Sequence, residues 1–475
     1  MFFRRSPLGV CTPGTVEIAA PHAKDTNLSL EKLLILNTDY PRFREVAGAI
    51  ANGSKLIQIE GLAAATKSWM LAGLFDETRR TMLVLTYTHE QAERLAEDLP
   101  IYGVPEERVL FYPSSDSLIY EEGPPNYGVI GERLAALHAL TLGEGPMVVV
   151  APINAALRRT MPRDALVRAY ASVTVGEDMD MDRFAALLVS MGYEPTDVVD
   201  RHGEFSRRGG LIDVYPSNED NPLRIELFGD EIESLRHFDS ASQRSIDKVQ
   251  SALILPAREV LIDEDRSKKA AARIRKELDA QLNRLRESGD LESAKRLSEK
   301  VEDDLPQIEA GAYFDELEYY LPYLLPEEVS IFDYIPAEAL VVLDEPMQLK
   351  SHWEHHEEKM VETLINRAGR GLLLASQQKQ HVPFESTIKR ALSSRQGVSF
   401  ALLPRPVSWA KADVEVQVES APMESFSGRM EAVADQIQTW RSHDLYVVIA
   451  TQQDRRMLEI MGEFGVVVYS IVDWA

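Results

Sequence analysis

Between residues 30 and 156, short apolar runs alternate with longer stretches whose apolar positions recur every three or four residues. The runs at 55–59, 82–86, 109–112 and 147–151 are aliphatic and nearly uncharged, as strands covered on both faces must be. The stretches between them, such as 69–74 and 88–99, carry the period of a helix with one apolar face. Strand and helix in alternation predict a parallel sheet with helices on both sides.

The period changes near residue 160. Short alternating segments at 209–216 and 223–229, joined by turns, predict an α+β insert of antiparallel strands opened by a helix over 183–192. From 265 to 307 charge is dense, with Leu, Ile and Ala at helical spacing and one break at Gly289. That predicts a helical hairpin or a kinked long helix, with a solvated face over one apolar stripe. An apolar strand at 340–343 ends in Asp344 and Glu345, and 350–475 returns to alternating helices and strands, the strands at 371–375, 398–402, 445–450 and 466–469. The predicted organisation is a loose tail over 1–28, an α/β domain over 29–157 that resumes at 253–350 with the hairpin, an α+β insert over 158–252, and a C-terminal α/β domain over 351–475.

Composition narrows the function classes. A chain of 475 residues has room for roughly three domains. A net charge of −25 disfavours nucleic-acid binding by the chain as a whole, since phosphate recognition needs cationic surface. The single cysteine, Cys11, excludes an internal disulfide framework and fits a reducing cytoplasm. No apolar run approaches the roughly 20 residues that span a bilayer, and the start Met1-Phe2-Phe3-Arg4-Arg5 does not read as a signal peptide.

Two motifs carry candidate chemistry. Gly61-Leu62-Ala63-Ala64-Ala65-Thr66-Lys67-Ser68 keeps the frame of a phosphate loop between a strand and a helix, but has Thr66 where the second glycine belongs. Such a loop turns backbone N–H groups inward around phosphate, with Lys and a hydroxyl serving the phosphates and Mg²⁺. Glycine supplies the left-handed angles that a β-branched Thr resists, so the expectation is a degenerate site of Gly61, Thr66, Lys67 and Ser68. Asp344 and Glu345 stand where an ATPase places its strand-terminal acids. No Gln-x-x-Gly-Arg-x-x-Arg string supplies transition-state cations, so no catalytic residue is assigned. The second motif is a cationic island, Arg201, Arg207 and Arg208 around Phe205, in an otherwise acidic chain. Arginine and aromatic residues dominate binding hot spots, whereas the plain alternative is a basic turn with solvated arginines. Gly209 and Gly210 suit a tight turn into the next strand. His352, His355 and His356 have helical spacing but no accompanying ligand set, so no metal site is assigned and a solvent-facing helix is expected.

The run from Arg201 through Gly210 to Pro216, followed by Arg224-Ile225-Glu226-Leu227-Phe228-Gly229-Asp230-Glu231-Ile232-Glu233, resembles the UvrA-binding domain shared by UvrB and the bacterial transcription-repair coupling factors. Tyr112-Pro113-Ser114-Ser115-Asp116, Tyr127-Gly128-Val129-Ile130-Gly131-Glu132-Arg133 and Leu253-Ile254-Leu255-Pro256-Ala257-Arg258-Glu259 extend the resemblance over most of the chain. UvrB has an intact phosphate loop and a tyrosine-rich hairpin; the degenerate loop and the short, tyrosine-poor segment from Tyr112 to Tyr127 point instead to the coupling factors' N-terminal UvrB-like region. The resemblance implies a degenerate RecA/helicase-like sheet module with an inserted UvrA-binding domain. It also implies that Arg201, Phe205, Arg207, Arg208 and Tyr215 face UvrA. RNA polymerase, DNA, ATP and Mg²⁺ would be handled by family regions outside these residues, and no cofactor is expected here. The leading expectation is a non-catalytic module that recruits UvrA in nucleotide excision repair. The alternatives are a UvrB-like ATP-dependent DNA helicase whose loop tolerates Thr66, and a free-standing regulator that competes for UvrA.

Overall fold

A computed structural model of the chain describes residues 40–63, 65–114, 126–403, 407–420, 426–443 and 453–468, with Val447, Ile449 and Thr451 between the last two spans. The tail expected over 1–28, and most of the tyrosine-poor segment, lie outside the described residues.

Each apolar run of the first region forms a strand: β1 (Leu56–Glu60), β2 (Met82–Thr86), β3 (Val109–Phe111) and β4 (Val148–Pro152). The helices between them are α1 (Pro41–Ala51), α2 (Ala65–Thr78), α3 (His89–Ile101) and α4 (Tyr127–Leu142). Their ends follow from local chemistry. Thr88 Oγ1 accepts the Gln91 N–H at 3.2 Å to start α3, and α4 stops where Gly143 turns left-handed at φ 66°.

The inserted domain begins with β5 (Ala171–Thr174) and α5 (Met181–Ser190), and continues through β6 (Glu194–Pro195), β7 (Glu204–Arg208), β8 (Leu211–Val214), β9 (Leu223–Phe228), β10 (Glu231–Phe238) and β11 (Ser245–Val249). It closes with β12 (Ser251–Ile254), antiparallel to β5. The main six-stranded sheet runs β11-β10-β9-β8-β7-β6, antiparallel except for the β6–β7 pair. The insert therefore starts about a dozen residues later than the expected 158. Ile153, Leu157, Met161 and Leu166 belong to the core of the first domain.

The helical hairpin is α6 (Glu264–Glu287) and α7 (Leu291–Glu309), capped by Asp263 and Asp290, with Gly289 at φ 83° between them. Ile274, Leu278, Leu282, Leu297, Val301 and Leu305 form its buried stripe.

β13 (Leu340–Asp344), α8 (Pro346–Gly369), α9 (Phe384–Ser394), β14 (Gln396–Ala401) and β15 (Val414–Gln417) follow. The expected break at 351 does not survive. β14 inserts between β1 and β13, and β15 adds beside β1, giving one all-parallel sheet of order β15-β1-β14-β13-β2-β4-β3. The expected strand at 371–375 is absent: Gly371 turns left-handed at φ 68°, where a Cβ would lie 2.1 Å from the Ser293 carbonyl oxygen, and a short 3-10 turn follows over Ala375–Gln378. The separate C-terminal core is small. It gathers Ala434 and Ile437 of α10 (Met430–Ser442), Met461 of α11 (Asp454–Glu463) and Val466. Residues 466–468 form no strand, and 445–450 fall largely outside the described residues.

Alternation along the parallel strands builds a core on each face. Ile57, Ile59, Val84, Val342 and Val398 meet Trp69, Met70 and Leu74 on one side, while Leu83, Leu85, Val149, Val341 and Leu343 meet Leu134 and Leu137 on the other. The insert is seated against α4 at Gly131, where an added Cβ would lie 1.7 Å from the Ser217 carbonyl oxygen. Beside that contact, Arg133 is buried, pairs with Glu259, donates to the Pro113 carbonyl at 2.9 Å and lies 4.1 Å over the Tyr112 ring.

Candidate functional sites

The carboxyl ends of β1, β14 and β13 lie side by side, which is where open α/β sheets hold their ligands. Here the groups that would hold a phosphate bond to one another. Gly61 turns the chain off β1 at φ 79°, and a Cβ there would sit 2.1 Å from the Val418 carbonyl oxygen, so glycine is needed on both counts. Its N–H donates to the Ala401 carbonyl at 2.9 Å. Ser420 Oγ donates to the Gly61 carbonyl at 2.6 Å and accepts the Ala63 N–H at 2.8 Å. Thr66 lies inside α2, with its N–H on the Ala63 carbonyl at 3.1 Å. Thr66 thus takes helical rather than left-handed backbone angles, as a β-branched residue prefers.

Lys67 Nζ is 2.6 Å from Asp344 Oδ1 and 2.9 Å from Glu345 Oε1. Glu345 adopts φ 54° at the start of α8, and both its oxygens accept the Leu402 N–H, at 3.0 and 3.2 Å. Burial works against the Lys67 charge, but the two carboxylates outweigh it and hold the ammonium above its ordinary range. Burial raises the Asp344 carboxyl, which is 5% exposed, and Lys67 only partly offsets this. Ser68 is directed elsewhere: its Oγ donates to Asp98 on α3 at 3.0 Å. Phosphates entering here would have to displace Ser420 from Ala63 and compete with two carboxylates for Lys67. Among the described residues, the groups of the turn are thus engaged with one another. Lys67, Asp344 and Glu345 meet here, while Gly61 bonds Ala401 and Ser420; Ser420, Leu402 and Asp98, which carry no motif, were not among the expected residues.

The cationic island does not form one patch, because strand alternation separates its members. Phe205 pairs with Val214, and both face the insert's core. At 4% exposure, Phe205 offers no contact area, so its assignment to a partner surface is corrected. Arg207 shares that parity at the strand end and pairs with Asp182 at the start of α5. Arg208 points to the opposite, outer face. Its side chain is 52% exposed, with Nη2 3.0 Å from Oδ2 of Asp213, which is 3% exposed. Arg224, across from Asp213 on β9, holds the same carboxylate with two bonds of 2.6 and 2.8 Å and lies 4.4 Å over the Phe238 ring.

The outer face continues through Glu226, which accepts from Arg236 and Ser234, to Phe228. At 79% exposure, Phe228 is the most exposed large apolar side chain among the described residues. Arg201 and Tyr215 lie beyond the other end of β7 and β8. Arg201 Nε bonds Glu204 at 3.0 Å; the Tyr215 ring is 4.0 Å from that of His202, and its hydroxyl donates to the Asp220 carbonyl at 2.8 Å. Burial alone would raise Glu204, but the N–H groups of Asp200 and Arg201 and the Arg201 guanidinium hold it below its ordinary value. Asp213, Arg224 and Phe228 escaped the sequence reading as site residues, although the alternating segments 209–216 and 223–229 contain them.

The histidines of α8 are not all solvated. His352 approaches Tyr87, and His356 packs beside Trp353 and His381. No group of three or more potential metal ligands occurs among the described residues. No described helix is long and apolar enough to cross a membrane.

Comparison with known families gives these sites a context. The UvrB interaction domain family matches residues 171–260, and the UvrB third helical domain family matches residues 265–325, the hairpin and the turns after it. A transcription-repair-coupling factor of Bacillus subtilis (strain 168) is 29% identical over 428 residues, covering 89% of this chain and 36% of the relative. One of Myxococcus xanthus is 31% identical over 318 residues, 64% of this chain and 25% of the relative. One of Staphylococcus aureus (strain MRSA252) is 26% identical over 416 residues, 86% of this chain and 34% of the relative. The chain thus spans about a third or less of the length of these relatives. It carries a UvrB interaction domain and a UvrB third helical domain within an α/β framework, and its sequence is similar to part of the bacterial transcription-repair-coupling factors.

Proposed function

We propose that this chain is a recruitment module of transcription-coupled nucleotide excision repair, docking UvrA through the outer face of its six-stranded sheet and performing no chemical step itself. The observation that carries this reading is Arg208. It is an exposed guanidinium held in place by a buried carboxylate, inside the segment that matches the UvrB interaction domain. Such a group is pre-positioned to meet a partner carboxylate bidentately, with little ordering cost on docking. The names of the relatives support a role in coupled repair, in the cytoplasm where stalled RNA polymerase is found. Contacts to polymerase and DNA, and any ATP-driven translocation, are assigned to portions of such proteins that lie outside the matched stretch.

The engaged state of Lys67 and the phosphate-loop turn supports the non-catalytic part of the reading. The rival, an ATP-dependent helicase, retains the strand–turn–helix setting and Lys67 in its favour. A pull-down of UvrA by this chain, repeated with Arg208→Ala, tests recruitment. Retention by the wild type and loss by the variant support it, whereas equal retention removes Arg208 from the interface. Thermal unfolding with and without Mg·ATP tests the rival: a stabilisation abolished by Lys67→Ala would establish nucleotide binding.

A further inference from the structure

We infer that the phosphate-loop-like turn is an intramolecular docking site, whose occupant is this chain's own segment from Val418 to Ser420. The docking fixes the path by which the chain leaves the seven-stranded sheet for the small C-terminal core. Three hydrogen bonds and one close packing contact define the docking. The Val418 N–H donates to the Glu60 carbonyl at 2.9 Å, extending the parallel pairing of β15 with β1. The Val418 carbonyl occupies the space left by the missing side chain of Gly61. Ser420 Oγ then makes both of its bonds to the turn, one to the Gly61 carbonyl and one from the Ala63 N–H. A serine hydroxyl supplies one donor and accepts through its lone pairs, and both capabilities are used here.

The arrangement turns a ligand site into a latch. β15 is an edge strand of four residues, with Glu415 and Gln417 exposed and Val416 buried. A strand that short gains little from its own pairing, so its retention depends on what holds its end. The turn provides that hold 357 residues away in sequence, at Ala63 and Ser420. Lys67, tied to Asp344 and Glu345, links α2 to the end of β13 through contacts that do not involve the docked segment. This contact lies on the seven-stranded sheet, whereas the proposed UvrA face belongs to the inserted sheet.

Hydrogen exchange on the whole chain, read by mass spectrometry, tests the latch. Ser420→Ala is expected to speed exchange at Ala63 and across 414–418 at least tenfold, with exchange in 204–236 and affinity for UvrA unchanged. Ser420→Thr, which keeps the hydroxyl, is expected to retain most of the protection. Gly61→Ala is expected to exceed the effect of Ser420→Ala by driving out the Val418 carbonyl; should that variant not fold, the two serine variants decide. Wild-type protection in Ser420→Ala would overturn the inference. So would an excess of Mg·ATP releasing residues 414–418 in the wild type, since the turn would then prefer a nucleotide to its own chain.

Discussion

Replacing Lys67 with methionine probes the energetic role of the ion triad, because methionine keeps an unbranched apolar stem, one atom shorter than lysine, and removes the ammonium with its charge and its hydrogen bonds to Asp344 and Glu345. The variant leaves Asp344 buried at 5% exposure beside Glu345, with no cation between them. Breaking a buried pair by removing one partner costs about 3–5 kcal/mol. The carboxyl has an escape, since it can take up a proton, and burial already pushes it in that direction. Holding an Asp protonated costs about 1.4 kcal/mol per pH unit above its unfolded value of about 3.9, so the ceiling is about 4 kcal/mol at pH 7 and about 1.5 kcal/mol at pH 5. The sign follows from linkage. In the variant the folded state binds the extra proton, so its stability falls as pH rises from the unfolded value toward the raised folded one. Urea denaturation of wild type and variant at both pH values, followed by tryptophan fluorescence, reads this directly, Trp69 lying in α2 beside the site. Lys67→Met with Asp344→Asn should recover most of the loss at pH 7. A penalty below about 0.5 kcal/mol, or one equal at both pH values, would refute the view that Lys67 is a structural cation.

Further outcomes follow from the inserted domain. Phe205→Ala removes a ring from its core and should cost about 3–5 kcal/mol of domain stability, seen as early unfolding in thermal circular dichroism rather than as a pure loss of binding. Glu204 has a depressed folded pKa, so its contribution is present above the unfolded value of about 4.3 and is lost as pH falls through the folded one. Exchange at the Asp200 and Arg201 amides should accelerate in that acid window, and Glu204→Gln should flatten the response. Gly131→Ala places a methyl against the Ser217 carbonyl, and should cost about 1–3 kcal/mol or more at the joint between insert and sheet domain. Limited proteolysis near residues 253–260 would register it.

Much of the framework was legible in the sequence because parallel strands buried on both faces are short aliphatic runs, and because Gly289 interrupts a long charged stretch of helical spacing. Sheet order was not legible. β14, drawn from residues 396–401, sits between two strands far from it in sequence, and local periodicity carries no information about neighbours. For the same reason residues from 351 onward read as a new domain when they complete the old one. At the loop, the motif grouped Lys67 with the strand-terminal acids without predicting that they pair with one another, whereas Ser420 is one serine among many until the fold brings it to Gly61. On the inserted domain, composition grouped Arg201, Phe205, Arg207 and Arg208, but a period of two divides them between core, helix side and outer face. Counting that period through 204–208 and 223–228 separates Phe205 from Arg208 and adds Arg224 and Phe228.

Docking of UvrA on the proposed Arg208-bearing face is read by a calorimetric titration of UvrA with the wild-type chain and with Arg208→Ala. Arg224 keeps both oxygens of Asp213 engaged when Arg208 is removed, so the variant should melt as the wild type does. Truncating one member of a desolvated charge pair costs about 2–5 kcal/mol, so affinity should fall at least tenfold, or about 1.4 kcal/mol. Equal affinity of the two proteins, or no binding by a correctly folded wild type, would contradict it.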